Sequence, residues 1–393
     1  MSTPASPSED SKPGTAPLSR RSFVGASAAL GGAFHILSPQ TVRGSQANSK
    51  ITVGLIGAGG RGTYDASLVQ TDPRAQVVAL CDRFPDRLEE SNARLKLSNP
   101  ATYTDYTKLL ASNVDAVIIA TPPFEHPEQL EAAVAAGKHI YCEKPMGVDV
   151  EGCKRVIAAG RRARKNQVIS VGFQQRYGDV YREAYKRLQE GQIGQLLAAR
   201  GYWIANDPFT RRPYDDPQIE RVRNWFCYRE YSGDFIVEQD CHNFDVLHWF
   251  LGGIPEAAVG RGGTKIRTNM DLMDHLSLVF TWPNGIHVNF EANQLTPRGF
   301  NRIGEEFTGD KGTLHTSRQS MIHFKGPNDK EEMLSKRDIT MDAFDDFFTM
   351  IQTGRAENVA ERSALSTMIA ILGREALYSG REVTWRGLYG VYA

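Results

Sequence analysis

Two groups of residues in this chain have types and spacing that could do chemistry together. The first is Gly57-Ala58-Gly59-Gly60-Arg61-Gly62, a G-x-G-x-x-G run with an acid, Asp82, 25 positions after its first glycine. Such a run turns tightly at Gly57, brings the backbone against a diphosphate at Gly59 and packs helix on strand at Gly62. The helix N-terminus then offers free N–H groups to the anion. Gly60 and Arg61 complete the predicted loop. Asp82 is placed to accept hydrogen bonds from ribose hydroxyls, which favours NAD, while the adjacent Arg83 could pair with a 2′-phosphate and keeps NADP open. The second group is Lys144-Pro145 and, far along the chain, Glu238, His242, Asp245 and Trp249. On one continuous helix these last four fall at i, i+4, i+7 and i+11 along one face, and an acid one turn before a histidine can orient the imidazole for acid–base work. An ammonium at a strand end in a cofactor cleft can polarise a carbonyl while hydride moves to or from its carbon. The implied chemistry is alcohol–ketone redox. An E-x-x-x-H pair could also ligate a metal, but no third ligand has fitting spacing, so none is expected.

These groups need elements to hold them. From Lys50 onward, short apolar runs alternate with segments of helical period, predicting strands at 51–56, 76–81, 115–120, 139–142 and 168–171, a short one near Tyr103, and helices at 86–96 and 127–136. This is the pattern of a parallel doubly wound sheet with helices on both faces. The glycine run follows the first strand and precedes a helix expected to start near Thr63. Asp82 ends the second strand and Lys144 follows 139–142. The loop Thr121-Pro122-Pro123, with His126 after it, ends the strand at 115–120 and is expected beside the nicotinamide half of the cofactor; His126 can instead be read as an exposed residue at the start of its helix. Past Phe173 come a helix at 179–190 and alternating strands at 196–203, 275–282 and 286–292, a largely antiparallel sheet with helices on one face. The fold class is α/β: an N-terminal Rossmann domain at 48–172 and a C-terminal α+β domain for substrate binding and oligomerisation at 173–393, with a large open sheet.

Composition agrees with a folded two-domain protein: 393 residues, 41% hydrophobic and 23% charged. Lys+Arg 46 balances Asp+Glu 46, leaving no surplus charge for a nucleic-acid backbone. The five cysteines are scattered without a C-x-x-C pair and read as core residues. Residues 1–47 read as a leader: a Ser/Pro/Thr-rich start, then Ser19-Arg20-Arg21-Ser22-Phe23-Val24 and an apolar stretch to Leu37 too short to span a bilayer. This order predicts a twin-arginine signal, cleaved after Ser45-x-Ala47, export to the periplasm and no stable membrane insertion. That route carries folded proteins, so a tightly bound cofactor is expected.

With the glycine loop, Cys142-Glu143-Lys144-Pro145-Met146 resembles the glucose–fructose oxidoreductase, inositol dehydrogenase and rhizopine-catabolism (Gfo/Idh/MocA) family, whose hallmark is E-K-P. The resemblance runs from about Lys50 to the end and includes Val171-Gly172-Phe173 into Arg176, the Gly309-Asp310-Lys311-Gly312-Thr313-Leu314 turn and Ser379-Gly380-Arg381-Glu382-Val383. It implies that Lys144 faces the reacting carbon, that the Lys144–Pro145 peptide is cis, and that the open sheet makes homodimer or homotetramer contacts. It also implies a D-x-G-x-H motif in which His242 matches the histidine, Glu238 stands at the aspartate and Asp240 replaces the usual glycine. The expected enzyme is an NAD(P)-dependent sugar or polyol oxidoreductase. In it His242 is the base, Glu238 orients His242 and Lys144 holds the reacting oxygen. Gly57, Gly59, Gly60, Arg61, Gly62, Asp82, Arg83, Thr121, Pro122, His126 and Glu143 serve the cofactor; Arg176, Trp225 and Asp245 join Lys144 and His242 at the substrate. Trp203, Tyr177 and Tyr228 are weaker candidates for sugar contacts. Two alternatives remain open at this point, a redox-assisted glycoside hydrolase of the same superfamily and a noncatalytic nucleotide- or sugar-binding protein.

Overall fold

Apart from Thr52, whose hydroxyl bonds Asp115, every residue of Ile51–Ile56 (β1) is apolar or glycine and buried, the mark of a parallel strand covered on both faces. The computed structural model describes residues 50–390, so the leader and its twin arginines lie outside the described residues. β1 is joined by Ala75–Cys81 (β2), Ala101–Tyr103 (β3), Ala116–Ile119 (β4), His139–Cys142 (β5) and Ile169–Val171 (β6). All five pairings are parallel and the order is β3-β2-β1-β4-β5-β6. The strand order reverses between β1 and β4, and a ligand crevice is expected beyond their C-terminal ends.

The second sheet comprises Leu196–Ile204 (β7), Ala257–Gly263 (β8), His275–Trp282 (β9), Ile286–Asn293 (β10), Arg302–Gly309 (β11), Thr313–Thr316 (β12), Ser320–Gly326 (β13), Asp329–Leu334 (β14) and Val383–Thr384 (β15). Its order is β14-β13-β12-β11-β7-β10-β9-β8-β15, antiparallel except where β7 meets β10. One face packs on the helices Cys241–Leu251 and Ala360–Ser379. The fold class read from the sequence is borne out by both sheets.

The chain after the Rossmann segment also closes the Rossmann core. Phe344 of the helix Ile339–Thr353 stacks on Tyr141 of β5 at 4.4 Å, and Phe347 and Phe348 are fully buried beside it. The helix Ala360–Ser379 lies on Val150–Arg162, with Gly160 so close that an added Cβ would stand 2.7 Å from that of Ala360. The helix Ala360–Ser379 packs on the second sheet as well, so this shared packing ties the two sheets together through helices. All five cysteines are buried and free. Among the described residues no helix is long and apolar enough to cross a membrane.

Candidate active site

The glycine loop is built as a cradle. Gly57 has φ +94°, and a Cβ on it would stand 2.6 Å from the Ala120 carbonyl and the Thr121 nitrogen; one on Gly62 would be 1.9 Å from the Gly57 oxygen. A Cβ on Gly59 or Gly60 would meet nothing within 4 Å, so the backbone there is open to the cleft. The helix begins at Gly60, inside the run and earlier than expected, and no side chain caps it. Glycine at the first turn lets the helix wind without a Cβ between its N–H groups and an incoming anion. These residues fit a dinucleotide. Asp82 ends β2 with Oδ2 accepting from the Ala58 N–H at 2.9 Å and Oδ1 from the Phe84 N–H at 3.0 Å. Burial pushes its carboxyl up, and the two N–H groups oppose that rise. Arg83 is held by Glu125, which also receives Gln129 Nε2 at 2.9 Å, so its guanidinium already has a carboxylate. That favours NAD over a 2′-phosphorylated cofactor.

Glu143 lines the cleft beside the glycine loop, with its carboxylate already engaged by the protein. It does not stand free toward a cofactor: its Oε1 accepts from Arg61 Nε at 2.9 Å and Nη2 at 2.7 Å, and Arg61 also reaches Asp65 at 3.2 Å. Gly172 has no room for a Cβ because the Glu143 carboxylate fills that place. Burial works against the Arg61 charge, but Glu143 and Asp65 outweigh it and raise its pKa. Arg61 therefore ties the glycine loop to the strand end that carries Lys144. His126 is buried rather than exposed, with Nδ1 2.7 Å from the Pro145 carbonyl and Nε2 2.8 Å from that of Thr121. It braces the loop after β4 against the cis Lys144–Pro145 peptide.

The stretch expected to be one helix is two, Phe235–Glu238 and Cys241–Leu251, broken at Gln239 and Asp240. Glu238 consequently does not orient His242. Its backbone oxygen and Oε1 accept from Lys144 Nζ at 2.6 and 3.0 Å. Burial pulls the Lys144 pKa down, but Glu238, Cys241 and Glu143 win and raise it, so the amine is an ammonium at neutral pH. His242 lies between Trp203, stacked with ring centroids 6.1 Å apart, and Phe173, edge-on at 5.9 Å. Its Nδ1 is closed off without a partner, which leaves Nε2 as the nitrogen a substrate can reach. Burial, then the charges of Arg318, Lys144 and Arg61, hold its pKa far below the usual value, so the imidazole is neutral.

One cavity of about 530 Å³, a size typical of small-molecule sites, is lined by the glycine loop, Asp82, Thr121, Pro122, His126, Lys144, Glu238 and His242. Trp203 and Trp225 line it too. Arg176 and Asp245 do not: they pair with each other at 2.8 Å, and Asp245 also accepts from Ser366 Oγ at 2.7 Å. Three residues beyond His242 the helix has turned about 60° off its face, which carries Asp245 onto the helix Ala360–Ser379. Tyr177 and Tyr228 are likewise absent from the wall. Sequence reading missed Arg318, which lines the cavity from the turn between β12 and β13, and Gln239 at the helix break. Neither had a signal in the sequence: Glu238 is a good helix former and the apolar period runs on past Gln239, and Arg318 sits in a turn that no motif marks.

The fold and this cleft define a two-domain, dinucleotide-binding protein with a second sheet facing the cofactor domain. Residues 51–173 match the family described as "Oxidoreductase family, NAD-binding Rossmann fold" and residues 181–315 match "GFO/IDH/MocA C-terminal domain", and the chain belongs to this Gfo/Idh/MocA family of NAD-binding oxidoreductases. It is 26% identical over 270 residues to scyllo-inositol 2-dehydrogenase (NAD(+)) of Bacillus subtilis (strain 168), covering 67% of this chain and 73% of that protein. It is 28% identical over 276 residues to inositol 2-dehydrogenase of Acidothermus cellulolyticus, covering 69% and 74%. Its fold matches that of levoglucosan dehydrogenase in complex with NADH and levoglucosan, with a TM-score of 0.72 and 21% identity over 86% of this chain and 99% of the other.

Proposed function

We propose that the protein is a dehydrogenase that oxidises a secondary hydroxyl of a sugar or cyclic polyol with NAD. One observation carries this reading: Lys144 from the first sheet and His242 from the second domain line the same cavity as the glycine loop. When bound there, the nicotinamide supplies the hydride acceptor. The Lys144 ammonium has three donors and Glu238 takes two, which leaves one to hold the hydroxyl oxygen as it becomes a carbonyl. His242 Nε2 takes the hydroxyl proton; its neutral state makes it a base from the start, and this requires the ring's own proton on Nδ1. Glu238 serves by fixing the charge and position of Lys144. The curated relatives' names, inositol dehydrogenases, support a polyhydroxylated ring as substrate.

Purified protein mixed with NAD and a panel of sugars and cyclic polyols is expected to form NADH and an oxidised product in equal amounts. An aglycone released without net oxidation, or no NADH from any member, contradicts the reading. Export by the twin-arginine route, retention of NAD through purification and assembly through the open face of the second sheet belong to the same proposal. The sequence Arg20-Arg21 followed by an apolar stretch supports the first. Replacing both arginines by lysine is expected to leave the protein in the cytoplasmic fraction.

A further inference from the structure

Among the described residues six cationic side chains line the cavity, and their partners separate them. Arg61, Arg83, Arg87, Lys144 and Arg223 each have a carboxylate within ion-pair distance. Arg318 has none among the described residues: its guanidinium makes no hydrogen bond and no ion pair, and its Nε is shut off from solvent without a partner. Its contact is with an aromatic face, 5.6 Å from the centre of the Trp203 ring. Trp203 in turn stacks on His242, so the lone cation and the imidazole share one wall of the cleft. An arginine taken out of water without an ion-pair partner is costly to keep, and here the Trp203 face and the more distant carboxylates of Asp338 and Glu143 only partly oppose the cost of burial, which lowers its pKa.

We propose that Arg318 is an anion-binding group of the substrate pocket and that the substrate is a sugar or polyol acid, carrying a carboxylate beside the ring that is oxidised. The proposal rests on the reading of this cleft as a sugar or polyol site and adds the substrate's charge. One unpaired positive charge matches one negative charge, and a planar guanidinium fork grips a carboxylate through two parallel N–H bonds. A phosphoryl group carries nearly twice that charge, and among the described residues of the cavity no second free cation meets it. The cofactor's diphosphate already has the glycine loop and a helix N-terminus, on the first sheet. The arrangement also serves the chemistry. After burial, Arg318 is the first of the charges that hold the His242 pKa down, so a carboxylate seated on it makes His242 a stronger base only when the acid is bound.

Titration calorimetry of the NAD-loaded full-length protein tests this, with hexuronates and hexonates set against the neutral hexoses and cyclitols of matching stereochemistry. The acids are expected to bind more tightly than their neutral counterparts. In Arg318→Gln that preference is expected to fall on the order of 100-fold, while the NAD affinity, measured separately, stays at the wild-type value and reports an intact fold. Arg318→Lys is expected to keep part of the preference. No acid binding better than its neutral counterpart overturns the proposal, and so does an Arg318→Gln variant that loses NAD affinity in step with acid affinity, since Arg318 would then belong to the cofactor. Acids bound through Arg318 without any NADH formed would sink the dehydrogenase reading and leave the anion site standing. NADH formed from neutral polyols with no preference for acids would do the reverse.

Discussion

Lys144 and Glu238 form an ion pair in which neither side chain is more than 14% exposed. Removing the amine leaves the glycine loop untouched, so Lys144→Ala is expected to bind NAD normally and to lose about 10²- to 10⁴-fold in kcat, measured by NADH formation. Glu238 gives a sharper test because it distinguishes the expected histidine partner from the observed lysine partner. Burial acting alone lowers a lysine pKa, and Glu238 is the main group opposing it. In Glu238→Gln the Lys144 pKa falls, the ammonium is lost at lower pH and the alkaline limb of kcat/KM moves toward neutrality. Cys241 and Glu143 remain beside it and limit the shift. A Glu238→Gln enzyme whose acid limb moved instead would restore the histidine pairing. A third test lies outside the site. Glu305 is fully buried between Asn243 and Thr316, and burial pushes its carboxyl up to about 7. Its folded pKa exceeds its unfolded value of about 4.3, so its stabilising contribution is complete below about pH 4 and is lost as pH rises through 7. Urea unfolding at several pH values is expected to show a decline of roughly 4 kcal/mol from this group, absent in Glu305→Gln. At this scale the sequence disclosed residue types but not partners. Arg61, Arg176 and Arg318 read alike as letters, yet one holds a loop, one clasps Asp245 and one is alone.

The glycine loop shows what one element can decide. Gly59→Ala adds a methyl group into open space, so the protein is expected to keep its melting temperature and bind NAD at least tenfold more weakly, because the methyl occupies the diphosphate's approach. Gly62→Ala drives a Cβ into the Gly57 carbonyl and is expected to lower both melting temperature and NAD binding. Thermal unfolding with and without NAD separates the two, and equal losses in both variants would contradict this division. Strand positions were legible because buried parallel strands are continuous apolar runs bounded by turns, as in Ile51–Ile56 and His139–Cys142. The break at Gln239 was not. Apolar residues continue through Phe235, Ile236 and Val237 and resume at Phe244, so the helical period survives an interruption that only tertiary packing imposes. Asp234, at φ +72° with its carboxylate on the Phe235 N–H, starts a short helix of its own.

Over the whole molecule, Lys144 on Glu238 and Arg374 on the Val148 carbonyl join the two halves, and two further contacts brace the parts within each. Glu143 and Arg61 join the glycine loop to the Lys144 strand end, and Arg176 and Asp245 join the chain after β6 to the helices of the second domain. Asp245→Ala strands a buried guanidinium and is expected to cost roughly 3–5 kcal/mol in urea unfolding, with KM little changed because Asp245 lies outside the cavity wall. A rise in KM without loss of stability would return Asp245 to the substrate. That two domains exist was readable from the change in pattern after Phe173; that the helix Ile339–Thr353 returns to cover β5 was not, since one sequence carries no record of contacts two hundred residues apart. The central claim is that an amine from one half and an imidazole from the other act on a single oxygen beside the nicotinamide. A crystal structure of the protein with NADH and the polyol it oxidises tests this most directly. Lys144 Nζ and His242 Nε2 are expected within about 2.6–3.2 Å of the same substrate oxygen. Nitrogens bound to different oxygens, or a polyol seated away from either, would contradict the account.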